Sequence, residues 1–179
     1  MSSLLLAAVL SAAGAFVVDP AGSVVRFHLD HKLHAVDGKT SEIEGKAVVG
    51  EDGRVMAMVR IPAASFDTGD GNRDSHMRET LEVSKYPFVV FKGVTSLTVP
   101  VAHGKPTRVK LQGELDFHGV KQAMELPAEV SFAEDGATVR LEFPVSLDAH
   151  RIERPSLLFV KVDDQLKLMV ELKLKGAAR

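Results

Sequence analysis

The chain contains no cysteine and no tryptophan, and its single tyrosine is Tyr86. Without cysteine there can be neither disulfides nor thiolate-ligated metals, and thiol usage says nothing about compartment. An excess of one charge is missing too. Lys and Arg number 22 against 24 Asp and Glu, a formal net charge of −2. That balance gives no basis for nucleic-acid binding or adsorption to anionic lipid. No G-x-S-x-G element and no glycine-rich phosphate loop after a strand occur, so the usual starting points for a hydrolase or nucleotide enzyme are absent. No catalytic residue is assigned, and no cofactor is called for.

What is present suits one globular unit. The 179 residues fit a single domain with room for a core or an internal cavity, and a hydrophobic content of 45% excludes wholesale disorder. The N-terminal "MSSLLLAAVLSAAGAF" has signal-peptide length and ends in the small-x-small pattern Ala13-Gly14-Ala15. The run is too short to span a bilayer, so no stable membrane insertion is expected. No Lys or Arg precedes it; the first basic residue is Arg26. The expectation is a signal peptide at 1–15 and a mature domain at 16–179, periplasmic or secreted.

Past Asp19-Pro20, period-two alternation dominates. Val139, Leu141, Phe143, Val145 and Leu147 share one face. So do Leu166, Leu168, Val170, Leu172 and Leu174, and likewise Val109, Leu111, Gly113, Leu115 and Phe117. Met124 to Phe132 repeats the pattern, and earlier strands are expected at 24–29, 42–50, 54–61 and 87–93. Turn signals at Glu51-Asp52-Gly53, His118-Gly119 and Glu134-Asp135-Gly136 separate them. Eight or so such strands suit an antiparallel sandwich or a barrel, and their length favours the barrel, whose closure removes the edges.

"SFDTGDGNRDSHMRETLEVSKYPFVVFKG" (65–93) interrupts this rhythm. Asn72 as N-cap, Asp74 in the first turn and the Met77/Leu81 pair predict a short helix over 73–83. Asp74 and Arg78, acid first at i,i+4, support it. His76 and Asp74, two apart on a helix, point in different directions and make a poor acid–base pair. His28, His31 and His34 could offer imidazoles to zinc or copper, but residues three apart on a strand face opposite sides. No metal site is expected, and His118 reads as a turn residue. Met56 and Met58 belong either to a strand buried on both faces or to the wall of an adaptable apolar cavity.

"VDPAGSVVRF", "GELDFHGVKQAMELP" and above all the 65–93 segment resemble the YceI family of lipocalin-like periplasmic proteins. The matching positions are Asp67-Thr68-Gly69, Arg73-Asp74, His76, Arg78, Leu81, Tyr86-Pro87 and Phe91. The resemblance covers about Val18 to Leu174. It implies an all-β fold, an eight-stranded antiparallel lipocalin-like barrel with a short helix, whose interior holds a polyisoprenoid, an isoprenoid quinone or a fatty-acid-like chain. On that implication Phe27, Met58, Phe91, Leu111, Leu115, Leu141, Phe143, Leu168 and Val170 contact the chain, and Arg73, Asp74, His76 and Arg78 form the rim. The partner is then a long-chain lipid, and a homodimer is compatible with this reading. One departure stands out. Before the last strand the family often has an Asn-Arg-x-Asp-Phe-Gly-like element, where this chain has "DAHRIERPSLLFVKVDD". The alternative is an interaction or structural module of the cell envelope, its barrel filled by its own side chains.

Overall fold

A computed structural model describes residues 14–32, 34–97, 104–157 and 160–177. Among these residues twelve strands and one α-helix follow in chain order: β1 Gly14–Val18, β2 Val24–Leu29, β3 Val36–Thr40, β4 Glu44–Val49, β5 Arg54–Pro62, α1 Gly71–Thr80, β6 Phe88–Ser96, β7 Thr107–Phe117, β8 Val120–Ala133, β9 Gly136–Ser146, β10 Ser156–Leu157, β11 Val160–Lys161 and β12 Gln165–Gly176. The short β10–β11 pair stands apart; the rest form one sheet that closes where β1 meets β12.

The closed wall is an eight-stranded antiparallel barrel, because four of its strands act in pairs. One edge of β12 pairs with β2 through Leu166–Glu171 and then with β1 through Leu174–Gly176. β1 and β2 are thus one wall strand interrupted by the turn Pro20–Gly22. Ser23 mends the break: its hydroxyl donates to the Asp19 carbonyl at 2.7 Å and accepts the Lys173 amide at 2.9 Å. β3 and β4 are likewise halves of the next wall strand, pairing β2 and β1, with the fully buried Ile43 at the bend between them. From there the chain goes up and down, each strand beside its predecessor.

Alternation assigns the faces. The apolar sets on β7, β8, β9 and β12 point inward. Cross-strand ion pairs, such as Arg140–Glu171 at 3.1 Å and Lys110–Glu125 at 2.8 Å, lie on the outer face, where they help register more than stability. The strands β1, β3, β10 and β11 were not expected from the sequence, being short or poor in alternation. The proposed leader boundary falls inside β1. Residues 1–13 lie outside the described residues, whereas Gly14 and Ala15 pair with Val49 and Val48 of β4.

The helix is shifted from its expected span. It runs Gly71–Thr80, and its N-cap is Asp70, not Asn72: Asp70 Oδ1 accepts the amides of Asn72 and Arg73, each at 3.0 Å. "DGN" holds two residues able to cap, and the carboxylate preceding the glycine takes both amides. Asp70→Ala should therefore cost about 1 kcal/mol in urea unfolding, and Asn72→Ala much less. Equal costs would mean that the cap is elsewhere.

Candidate functional site

Alternation puts large apolar side chains inside the barrel, yet they do not fill it. An apolar-walled cavity of about 390 Å³ remains, lined among others by Phe27, Phe91, Leu111, Leu115, Leu141, Phe143, Leu168 and Val170. Its size is in the range of small-molecule sites. All eight of these predicted side chains lie on its wall. Met58 does not. Its neighbours Ala57 and Val59 face the cavity, so the pleat turns Met58 outward, opposite Lys46 and Lys92. Met56, in the same row, is 53% exposed. Neither methionine is an inner-wall residue, which corrects the expectation for Met58.

The two ends of the barrel differ. Turns 50–53 and 133–136 close one end over buried Val49, Val55, Leu97, Phe132 and Ala137. The other carries the connection 30–35, the segment 63–87 with α1, and the connection 147–164. Here Thr68, Arg73, His76 and Thr80 touch the cavity alongside Met77 and Leu81. The His76 side chain is 81% exposed, so the polar boundary between cavity and solvent lies along this helix.

The rim cluster divides by function. Asp67 shapes the turn: its carboxylate accepts the Gly69 amide at 2.8 Å, and Gly69 has φ +78°, a conformation suited to glycine. Its backbone bridges to Lys39 of β3, tying the segment to the wall. Asp74, only 6% exposed, lies beneath the helix and accepts both the Thr68 hydroxyl, at 2.6 Å, and the Thr68 amide, at 3.0 Å. These hydrogen bonds, led by the hydroxyl, with the Arg78 charge nearby, hold its carboxyl below the usual range. Arg73 embraces the same threonine, donating from Nε to Oγ1 at 2.9 Å and from Nη2 to the carbonyl at 3.0 Å. Arg78 turns away and donates to the Ala64 carbonyl at 3.3 Å. Of the four expected rim residues, Arg73 and His76 reach the cavity. Asp74 is a structural lock and Arg78 a strut.

A second buried polar group at this end was not anticipated. Tyr86, at the exit from the helix, packs against His118 with ring centroids 4.5 Å apart and the rings tilted by 56°. Gly119 (φ +71°) leaves room for the Tyr86 ring, which an alanine Cβ would strike. His118 Nδ1 donates to the His150 carbonyl at 3.2 Å, and His150 Nδ1 donates to the Phe117 carbonyl at 3.1 Å. Helix exit, β7–β8 turn and the 147–164 connection are thereby joined. The signal in sequence was weak: "FHGV" announces a turn, but nothing in "DAHRIERP" marks His150 as buried. His28 is instead held on the outside by Asp37 at 2.7 Å and Asp30 at 3.3 Å. Among the described residues no cluster of three potential metal ligands forms.

Burial pushes the His150 imidazole below its ordinary value, against the hydrogen bonds to Phe117 and Val120 and the charge of Asp116; His118 adds to the depression. The unfolded chain then binds more protons than the native one as pH falls below about 6.5, so stability declines through that interval. The urea midpoint should drop between neutral and mildly acid pH, and His150→Asn should flatten that slope. A slope unchanged in the variant would assign it to other groups.

Comparison with known proteins agrees with this geometry. Residues 16–174 match the family model described as YceI-like domain. A polyisoprenoid-binding domain from Saccharophagus degradans, implicated in plant cell wall breakdown, superimposes with a TM-score of 0.75 at 16% identity, over 90% of this chain and 98% of that one. BcnA of Burkholderia cenocepacia does so with 0.72 at 19% identity, over 87% and 98%. A Campylobacter jejuni YceI protein gives 0.64 at 16% identity, over 83% and 90%. At these identities the likeness concerns the fold. A comparison with curated proteins finds no match.

Proposed function

The chain belongs to the YceI-like family, and from that premise we propose that it is an exported binding protein carrying a long amphiphilic lipid inside its barrel. The chain would be a polyisoprenoid, an isoprenoid quinone or a fatty-acid-like tail. The observation that carries this reading is the apolar cavity of about 390 Å³, bordered at the helix end by Thr68, Arg73, His76 and Thr80. Each buried methylene contributes about 0.8 kcal/mol, so a few isoprene units supply ample affinity, while the headgroup sets orientation. The name given to the Saccharophagus domain supports the ligand class. The same cavity weighs against a barrel filled by its own side chains. Export rests on the apolar N-terminus and its Ala13-Gly14-Ala15 pattern. Cleavage after Ala15 would keep the ladder of Phe16–Val18 with β12. Among the described residues no helix is long and apolar enough to cross a membrane.

Native mass spectrometry of protein purified from its own host, followed by organic extraction, tests the reading. A stoichiometric lipid and a mature mass beginning near Phe16 are expected. A lipid-free protein that also takes up none of the three chain types would reject it. The rim makes a sharper distinction. Arg73 has guanidinium donors beyond the two spent on Thr68, and it borders the cavity; Arg78 does not. Arg73→Ala should weaken a phosphorylated isoprenoid roughly tenfold more than its alcohol, the value of one charge-assisted hydrogen bond. Arg78→Ala should leave the ratio near one. Equal ratios for both variants would remove the arginine from headgroup recognition.

A further inference from the structure

Two phenylalanines of the inner wall press a ring edge against glycines. Phe27 of β2 faces Gly38 of β3 in register, and its ring fills the place where a Gly38 Cβ would stand. Phe66 packs edge-on behind it, with centroids 5.7 Å apart. Phe91 of β6 lies over Gly93 of its own strand and Gly113 of β7, which are themselves a register pair. A Cβ at Gly93 would sit 2.7 Å from the Phe91 ring. Glycine in a strand interior is unfavourable, and a positive φ is the usual excuse for it. Neither Gly38 nor Gly93 has one. Gly113 has a second reason, since the Lys92 carbonyl also crowds its Cβ position. At Gly38 and Gly93 the closest neighbour is the aromatic ring; the nearest backbone atoms, Asp67 O and Gln112 O, stand at 3.2 Å. These are wells into which the rings retract, leaving lateral space in the lumen.

We propose that the wells at Gly38 and Gly93 set the width of chain that the barrel accepts, admitting methyl-branched, isoprenoid-like tails that a lumen with raised rings would refuse. The inference rests on the lipid-carrier reading above. A straight alkyl chain is slim enough to pass a raised ring, whereas methyl branches need the room beside it. In the closed barrel a single wall strand, β5, stands between the two wells, because β3 and β4 share one wall strand.

The probes are dodecanol and fully saturated farnesol, alcohols of equal main-chain length that differ in methyl branches. Gly38→Ala and Gly93→Ala should each weaken the branched alcohol roughly tenfold, as if about two methyl branches lost their burial. The straight alcohol should lose no more than roughly fourfold, about one methylene's worth. Adding Phe27→Leu to Gly38→Ala, or Phe91→Leu to Gly93→Ala, should restore the branched alcohol. Thermal unfolding of each variant reports whether it folds. Should an alanine variant fail to fold, Phe91→Leu alone decides, with an increased preference for the branched alcohol expected. Equal losses for both alcohols, no loss, or no gain in Phe91→Leu would overturn the wells as width determinants while leaving the carrier intact. A parent protein that binds neither alcohol would overturn both.

Discussion

Leu141→Trp should lower the affinity for a long-chain lipid by roughly a hundredfold while moving the thermal midpoint by only a few degrees. Leu141 stands on the inner face of β9, flanked by Ala128 of β8 and Val170 of β12, and its side chain borders the cavity. An indole there takes space that three or four methylenes of a ligand would otherwise fill. Their lost burial amounts to about 3 kcal/mol, or roughly a hundredfold in affinity. In a packed interior the same substitution would overpack and cost about 1–3 kcal/mol of stability. The two outcomes separate in a pair of measurements, lipid titration and thermal unfolding. Because the native chain has no tryptophan, the new indole is also the only one in the protein, and its emission reports the lumen directly. A large fall in midpoint, with no lipid bound by the parent, would favour the filled barrel.

Asp74→Ala is expected to destabilise the protein by about 3 kcal/mol, the cost of stranding donors that a buried carboxylate had satisfied. Both the hydroxyl and the amide of Thr68 lose their acceptor, and Arg73, which grips the same threonine, loses its fixed partner. The helix then loses its tether to the turn that holds β3. The pH dependence follows from the same contacts. The native carboxyl lies below its ordinary value, so the unfolded state binds the extra proton first. The stabilisation is complete above an ordinary aspartate pKa of about 3.9 and is lost as pH falls through the native value. Asp74→Asn should remove this acid-side slope from urea midpoints measured in that range. An alanine variant within a few tenths of a kcal/mol of the parent would show that α1 is held by Met77 and Leu81 alone.

The inner wall was legible because strand alternation is local. Once Lys110, Glu142 and Lys167 were assigned to solvent, Leu111, Leu141 and Leu168 had to face the other way, and any closed sheet would bury them. Met58 escaped the same logic because its strand is apolar on both faces, and only pairing with Lys46 and Lys92 tells which side is outside. The rim was legible as a cluster but not as a set of roles. Arg73 and Arg78 are both arginines near one carboxylate in sequence, yet the helix rotates them to different neighbours, the cavity and the Ala64 carbonyl.

By itself, then, the sequence determined the β class, the parity of the long strands, the existence of a short helix near residue 75 and the family signature around it. Each of these is encoded in side-chain period or in residues close along the chain. The tertiary structure alone decided that β1 and β2 share one wall strand, that the barrel closes on β12, that its interior keeps a cavity, and that His118, His150 and Tyr86 meet. Those outcomes depend on contacts between segments far apart in sequence. The cavity in particular is a difference between enclosed volume and side-chain volume. Phe27 meets Gly38 of β3 and Phe91 meets Gly113 of β7, neighbours that only the strand pairing of the folded barrel supplies.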